Sequence, residues 1–182
     1  VFLVLIVFAL PVVAKDVKEH PLIRPFPGSV LARNMSQHND FDAYDFYCFN
    51  EKTKKREKKT IKGEYWKLLY EVRTKSGQRV TNISTVEFLE NYKVAAKEKG
   101  GRVVFEDRSL VVLTIPREDG GVTWLQVRPA SNLGQQYLYI VDEQPFKRSM
   151  VFGPAQMKEA LDRDGKVALY GILFDLDKAT LK

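Results

Sequence analysis

Residues 61–73 alternate between apolar and polar side chains, with Trp66, Leu68, Tyr70 and Val72 on one side and Lys67, Glu71 and Arg73 on the other. A two-residue period of this kind predicts a strand whose faces meet different surroundings. The aromatic run over residues 44–49 precedes it. Together the two segments predict a hairpin of long strands, joined through the lysine-rich stretch between them. The period then changes. Ser84-Thr85-Val86-Glu87 has the spacing of a capping box, in which a serine hydroxyl accepts from the third helical amide. Val86, Leu89, Tyr92, Ala95 and Ala96 keep one apolar stripe, and Gly100-Gly101 supplies a left-handed stop, so a helix is expected over residues 85–99.

Four short apolar segments follow, at residues 102–105, 110–115, 122–127 and 136–142. The second and third are joined by a tight connection containing Asp119-Gly120-Gly121. A second helix is expected over residues 154–164, with Pro154 in its first turn, Met157, Ala160 and Leu161 inward and Gly165 ending it. Residues 166–174 read as a further strand. The order β-β-α-β-β-β-β-α-β, with strands close enough to pair as hairpins, predicts an α+β fold: a largely antiparallel sheet with helices on one face.

The ends of the chain differ from its middle. Val1-Phe2-Leu3-Val4-Leu5-Ile6-Val7-Phe8-Ala9-Leu10-Pro11-Val12-Val13 carries no charge, and Ala14 then gives way to Lys15-Asp16. This run falls short of the ~20 residues a helix needs to cross a bilayer. It fits the apolar core of a secretory leader, so residues 1–14 are expected to be a signal peptide cleaved after Ala14. Its basic n-region is missing, as expected either of a sequence that starts inside its reading frame or of a misplaced start codon. Pro21, Pro25, Pro27, Gly28, Asn34, Asn39 and Asp40 then predict an extended lead-in with few regular hydrogen bonds up to about residue 40.

Composition narrows the chemistry. With 45% hydrophobic residues among 182, the chain has material for a packed core. A single cysteine excludes an internal disulfide framework, and two histidines leave little for a histidine-rich metal centre. His20 and His38 are expected to be ordinary surface histidines and Cys48 a buried small hydrophobe; no catalytic residue, metal site or cofactor is expected. Residues 51–67 hold eight basic and three acidic side chains, which is +5 of the chain's net +6. The run reads as a solvated hairpin connection. A second reading gives Lys54, Lys55, Arg56, Lys58 and Lys59 a polyanion contact, to acidic lipid headgroups or lipopolysaccharide phosphates. Nucleic acid is not expected, because no stacking aromatics interleave with the lysines.

Residues 165–182, GKVALYGILFDLDKATLK, resemble the opening of the OmpA-like, peptidoglycan-associating domain family, most specifically in Phe174-Asp175-Leu176-Asp177-Lys178-Ala179. His20-Pro21-Leu22-Ile23-Arg24-Pro25-Phe26-Pro27-Gly28-Ser29, Glu90-Asn91-Tyr92 and Gly100-Gly101-Arg102-Val103-Val104-Phe105 are similar to the module that sits between leader and OmpA-like domain in Gram-negative envelope proteins. The resemblance implies three parts: the signal peptide, an α+β module over residues 15–153, and a linker helix with the first strand of a truncated OmpA-like domain over residues 154–182. It implies an exported, non-enzymatic protein of the periplasm or outer membrane, whose complete form associates non-covalently with peptidoglycan through the missing C-terminal domain. Asp175, Asp177 and Lys178 would border that pocket. The alternative is a periplasmic module binding a lipid or glycan in a cleft lined by Tyr65, Trp66, Tyr70, Trp124, Tyr137 and Tyr139. Oligomeric state is not legible in these patterns.

Overall fold

The computed structural model describes residues 17–146, together with residues 158, 159, 161–163 and 165. The chain divides into two compact units, Val1–Pro145 and Phe146–Lys182. In the first, the strands are β1 (Ser29–Leu31), β2 (Gln37–Asn50), β3 (Lys55–Val72), β4 (Arg102–Glu106), β5 (Val111–Pro116), β6 (Val122–Ala130) and β7 (Gln135–Glu143). The helix α1 (Thr85–Glu98) lies between β3 and β4, and a 3-10 turn (Arg33–Met35) lies between β1 and β2. All strands belong to one antiparallel sheet in the order β1-β3-β7-β6-β5-β4, with β2 also paired to β3. The α+β class and the antiparallel sheet are as expected from the pattern. In the second unit, residues 158, 159 and 161–163 are helical, and the Gly165 N–H donates to the Leu161 carbonyl at 2.9 Å. Leu161, expected to face inward, is 52% exposed. The leader, the strand at 166–174 and Asp175, Asp177 and Lys178 lie outside the described residues.

The sheet has two buried faces. Trp66, Leu68 and Tyr70 of β3, with Leu113, Leu125, Leu138 and Ile140 from its neighbours, meet Leu89, Tyr92 and Ala96 of α1. Helix and sheet fit because both present one apolar face. The cap is as expected, with Ser84 Oγ accepting from the Glu87 N–H at 3.0 Å. The stripe is not: Phe88 is fully buried, whereas Val86 is 66% exposed and Ala95 is also on the outside. Phe88 fills a satellite core with Val72 and Ile83, which rotates the buried stripe away from Val86.

The second face is covered by the hairpin itself. Beyond Gly63, β3 has no β7 partner and runs on with β2 as a two-stranded arm. Two features bend it. A bulge interrupts the β2–β3 register between Asn39 and Asp42, and bulges kink and twist the strand that carries them. At Gly63, φ is 158° and a Cβ would run into the Asp142 carbonyl, so only glycine fits. The arm therefore curls back and buries Phe46 and Ile61 against Leu110, Val112, Trp124 and Val141. Side chains join the arm to β4 and the residue after it: Tyr47 of β2 against Phe105 (5.8 Å between ring centroids) and Arg56 of β3 to Asp107 (3.8 Å). Among the described residues no backbone ladder joins β2 to β4, so the sheet is curled without closing into a barrel.

Two expectations need correction. The lysine-rich stretch is not one long connection: the turn is residues 51–54, and β3 begins at Lys55. The Asn50 side-chain oxygen accepts from the Lys52 and Thr53 amides, closing the turn locally. The lead-in is also less irregular than its prolines suggest. β1 pairs with residues 70–72 of β3, and β2 already starts at Gln37. Val17 and Ile23 are buried in the helix-side core, so tertiary packing overrides the local breaker signals.

Candidate functional site

Strand alternation sorts the basic residues of the arm onto two sides. Arg56, Lys58 and Lys62 share one face of β3 and are exposed, and Lys54 precedes them in the turn. Their cross-strand neighbours are Phe49 opposite Arg56 and Tyr47 opposite Lys58. The Arg56 guanidinium lies 4.7 Å from the Tyr47 ring centroid, Lys58 Nζ 5.8 Å from the same ring, and Lys54 Nζ 5.9 Å from Phe49. Aromatic faces attract cations at these distances and order their long side chains. Nearby acids are Glu51 (3.2 Å from Lys54), Asp107 (3.8 Å from Arg56) and Asp45 (4.0 Å from Lys58). These pairs are solvent-exposed and therefore weak. Lys55 and Lys59 project to the other side, and Lys59 Nζ lies 4.8 Å from the Trp124 ring. Of the five cations expected to meet a polyanion, three thus fall in one row, Lys62 extends it, and two point away. Phe49, 45% exposed, sits within the row.

Tyrosines occupy the uncovered part of the second face. Tyr44 stacks on Tyr65 (5.9 Å, 18° between planes) and on Tyr139 (4.8 Å, 15°), and Tyr139 stacks on Tyr137 (6.3 Å, 18°). The Tyr44 hydroxyl accepts from Gln126 Nε2 at 2.9 Å. Burial pushes the Tyr65 hydroxyl up to about 12, helped by Tyr139 and Asp42, so it stays protonated at neutral pH. The six aromatics expected to line a cleft are separated: Trp66 and Tyr70 are in the helix-side core, Tyr65 and Trp124 are buried in the second, and only Tyr137 and Tyr139 remain half-buried. One groove of about 420 Å³ lies between α1 and β4, another of about 430 Å³ is bordered by Lys59, Arg102, Thr114 and Glu143, and of these six aromatics only Trp124 borders either.

Neither histidine is the ordinary surface residue expected. His20 is 1% exposed. Its Nδ1 accepts from the Leu22 and Ile23 amides at 3.2 and 3.1 Å, which places the ring proton on Nε2. That nitrogen donates to Asp142 Oδ1 at 3.2 Å. The same carboxylate oxygen accepts from Thr123 Oγ1 and lies 3.5 Å from Arg117 Nη1. Burial pushes the Asp142 carboxyl up, but hydrogen bonds from His20 and Thr123 and the Arg117 charge outweigh it and hold the group below the usual range. The threonine proton points to the carboxylate rather than the imidazole, so the trio lacks the wiring of an activated nucleophile. It works as a latch that fastens residues 17–23 to β6 and β7.

His38 stacks on Trp66 (4.9 Å, 29°), and Trp66 meets the His20 ring edge-on at 4.5 Å on another side. His38 Nε2 lies 2.8 Å from Glu64 Oε1. One ligand atom each of His38, Asp40 and Glu64 falls within 4.8 Å of the others. Sequence reasoning missed this set, because His38 and Glu64 are 26 residues apart with no metal-type spacing. Cys48 packs at the edge of the second core; burial pushes its thiol up, with Lys59 opposing, so it is a poor nucleophile. Among the described residues no helix is long and apolar enough to cross a membrane. Family models gave no match to the chain, and no curated protein matches it.

Proposed function

We propose that the chain is part of an exported, non-catalytic protein of the Gram-negative envelope, which lays its cationic arm against the phosphate-bearing surface of the outer membrane. The observation that carries this reading is the row of Lys54, Arg56, Lys58 and Lys62 on the outward face of the arm, with Phe49 and Tyr47 between them. Alternate residues of a strand are about 7 Å apart. Such a row, broken only at Thr60, offers several donors on one face to a layer of phosphates, and each cation near an anionic surface contributes about 1 kcal/mol. The half-exposed Phe49 ring adds an apolar contact at the headgroup level.

The placement in the envelope rests on residues 1–14 and on the OmpA-like resemblance of residues 165–182. In this reading the full order is β-β-α-β-β-β-β-α-β with helical cover on one face, and the last strand opens a domain that holds peptidoglycan. Asp175, Asp177 and Lys178 border its pocket. Peptidoglycan and outer-membrane lipid are the partners, and the chain has no enzymatic role. Flotation with vesicles tests the arm. Vesicles of anionic lipid or lipopolysaccharide should carry the chain, and zwitterionic vesicles should not; equal recovery from both would remove the proposal. The tether is tested separately by sedimentation of the complete protein with purified sacculi, where failure at every salt concentration would count against it.

A second reading, glycan binding, is favoured by the parallel rings of Tyr44, Tyr139 and Tyr137. Flat stacked rings suit the apolar faces of sugars. Loss of oligosaccharide binding on Tyr137→Ala and Tyr139→Ala would support it.

A further inference from the structure

We propose that His38, Asp40 and Glu64 form a divalent-cation site of the zinc or manganese class at the root of the arm. Their donor atoms already lie within 4.8 Å of one another, with His38 Nε2 2.8 Å from Glu64 Oε1. A cation with ligand bonds of about 2.1 Å holds its donors about 3.0 to 3.5 Å apart in octahedral or tetrahedral geometry. Small side-chain rotations therefore convert the cluster into a coordination shell. One imidazole with two carboxylates suits zinc or manganese better than magnesium or calcium, which take oxygen ligands.

Three further observations support the assignment. The His38 ring is oriented by its stack on Trp66, so the imidazole is placed before an ion arrives. The Asp40 carboxylate stands close to that of Glu64 and has no cation or hydrogen-bond donor of its own among the described residues. Two neighbouring carboxylates repel, and a shared cation relieves that repulsion. Asp40 is exposed, which leaves a path for the ion and room for water in the remaining positions.

The placement gives the ion a consequence for the fold. His38 and Asp40 stand on β2, on either side of Asn39, where the bulge begins, and Glu64 stands on β3 beside the Gly63 bend. An ion held by all three would clip the two strands together where the arm turns, fixing its angle to the sheet.

Titration of the untagged full chain with Mn²⁺, followed by electron paramagnetic resonance, should give one saturable site that Zn²⁺ displaces. Loss of an outer-shell partner alone costs about 10–100-fold in metal affinity, so removing a ligand by His38→Ala or Asp40→Asn should weaken binding at least about 10-fold. Asp40 is exposed and asparagine has its shape, so that variant should keep the parent's circular dichroism. Cys48→Ser should bind as the parent does. The assignment is overturned if the chain shows no saturable Mn²⁺ site, if the His38 and Asp40 variants bind like the parent, or if binding is lost with Cys48.

Discussion

Phe46→Ala tests whether the arm is a core element or a loosely attached appendage. Phe46 is fully buried between the arm and the sheet, with its ring 5.5 Å from Trp124 and 4.9 Å from Tyr44. A buried phenylalanine removes at least about 150 Å² from water, worth about 4 kcal/mol at about 25 cal/mol per Å². Partial collapse of the vacated space leaves an expected loss of about 3–5 kcal/mol. That is a large share of the 5–15 kcal/mol typical of a folded domain. Urea unfolding monitored by circular dichroism should show a lower midpoint with an unchanged slope, and Trp124 emission should shift to the red as its cover loosens. A loss below about 1 kcal/mol with unaltered emission would mean that the arm does not pack as described.

The latch and the helix cap give further expectations. The Asp142 carboxyl is depressed in the folded chain, so its contribution is present above the unfolded value near pH 4 and fades as pH falls through the folded one. Asp142→Asn should cost about 1.5–3 kcal/mol at pH 7, the scale of hydrogen bonds to a charged group. It should also flatten the loss of stability below pH 4 in urea titrations; an unchanged acid slope would contradict the assignment. Ser84→Ala removes the hydroxyl that accepts from Glu87 and should lower stability by about 1 kcal/mol, whereas Ser84→Asn should retain most of it. Hydrogen exchange at the first turn of α1 would locate the effect.

What the pattern revealed, and what it hid, follows from the range of the interactions. Ser84 and Gly100 act within a few residues, so the start and end of α1 were legible to within one residue. The alternation of Trp66, Leu68 and Tyr70 correctly marked the helix-side face. It could not show that Ile61 and Tyr65 face a second core, because that core is made by the arm folding over its own sheet. Residues 55–60 carry no apolar side chain, and they form a strand because β2 pairs with them and supplies Tyr44 and Phe46 to the interior. Charge alone therefore read as loop. The cations of the candidate site were evident, but their division into an outward row and the opposed Lys55 and Lys59 needed the register. His20 meets Asp142 across 122 residues, and no local spacing announces such a partner.

The account of function turns on the row of cations, and vesicle binding across a salt series measures it most directly. Replacing Lys54, Arg56, Lys58 and Lys62 with glutamine removes four charges worth about 1 kcal/mol each at an anionic surface. Partitioning onto lipopolysaccharide-bearing vesicles should then fall by two to three orders of magnitude and lose most of its salt dependence, a change of about 1.4 kcal/mol per tenfold. A variant folded like the parent that still partitions equally well would contradict the account.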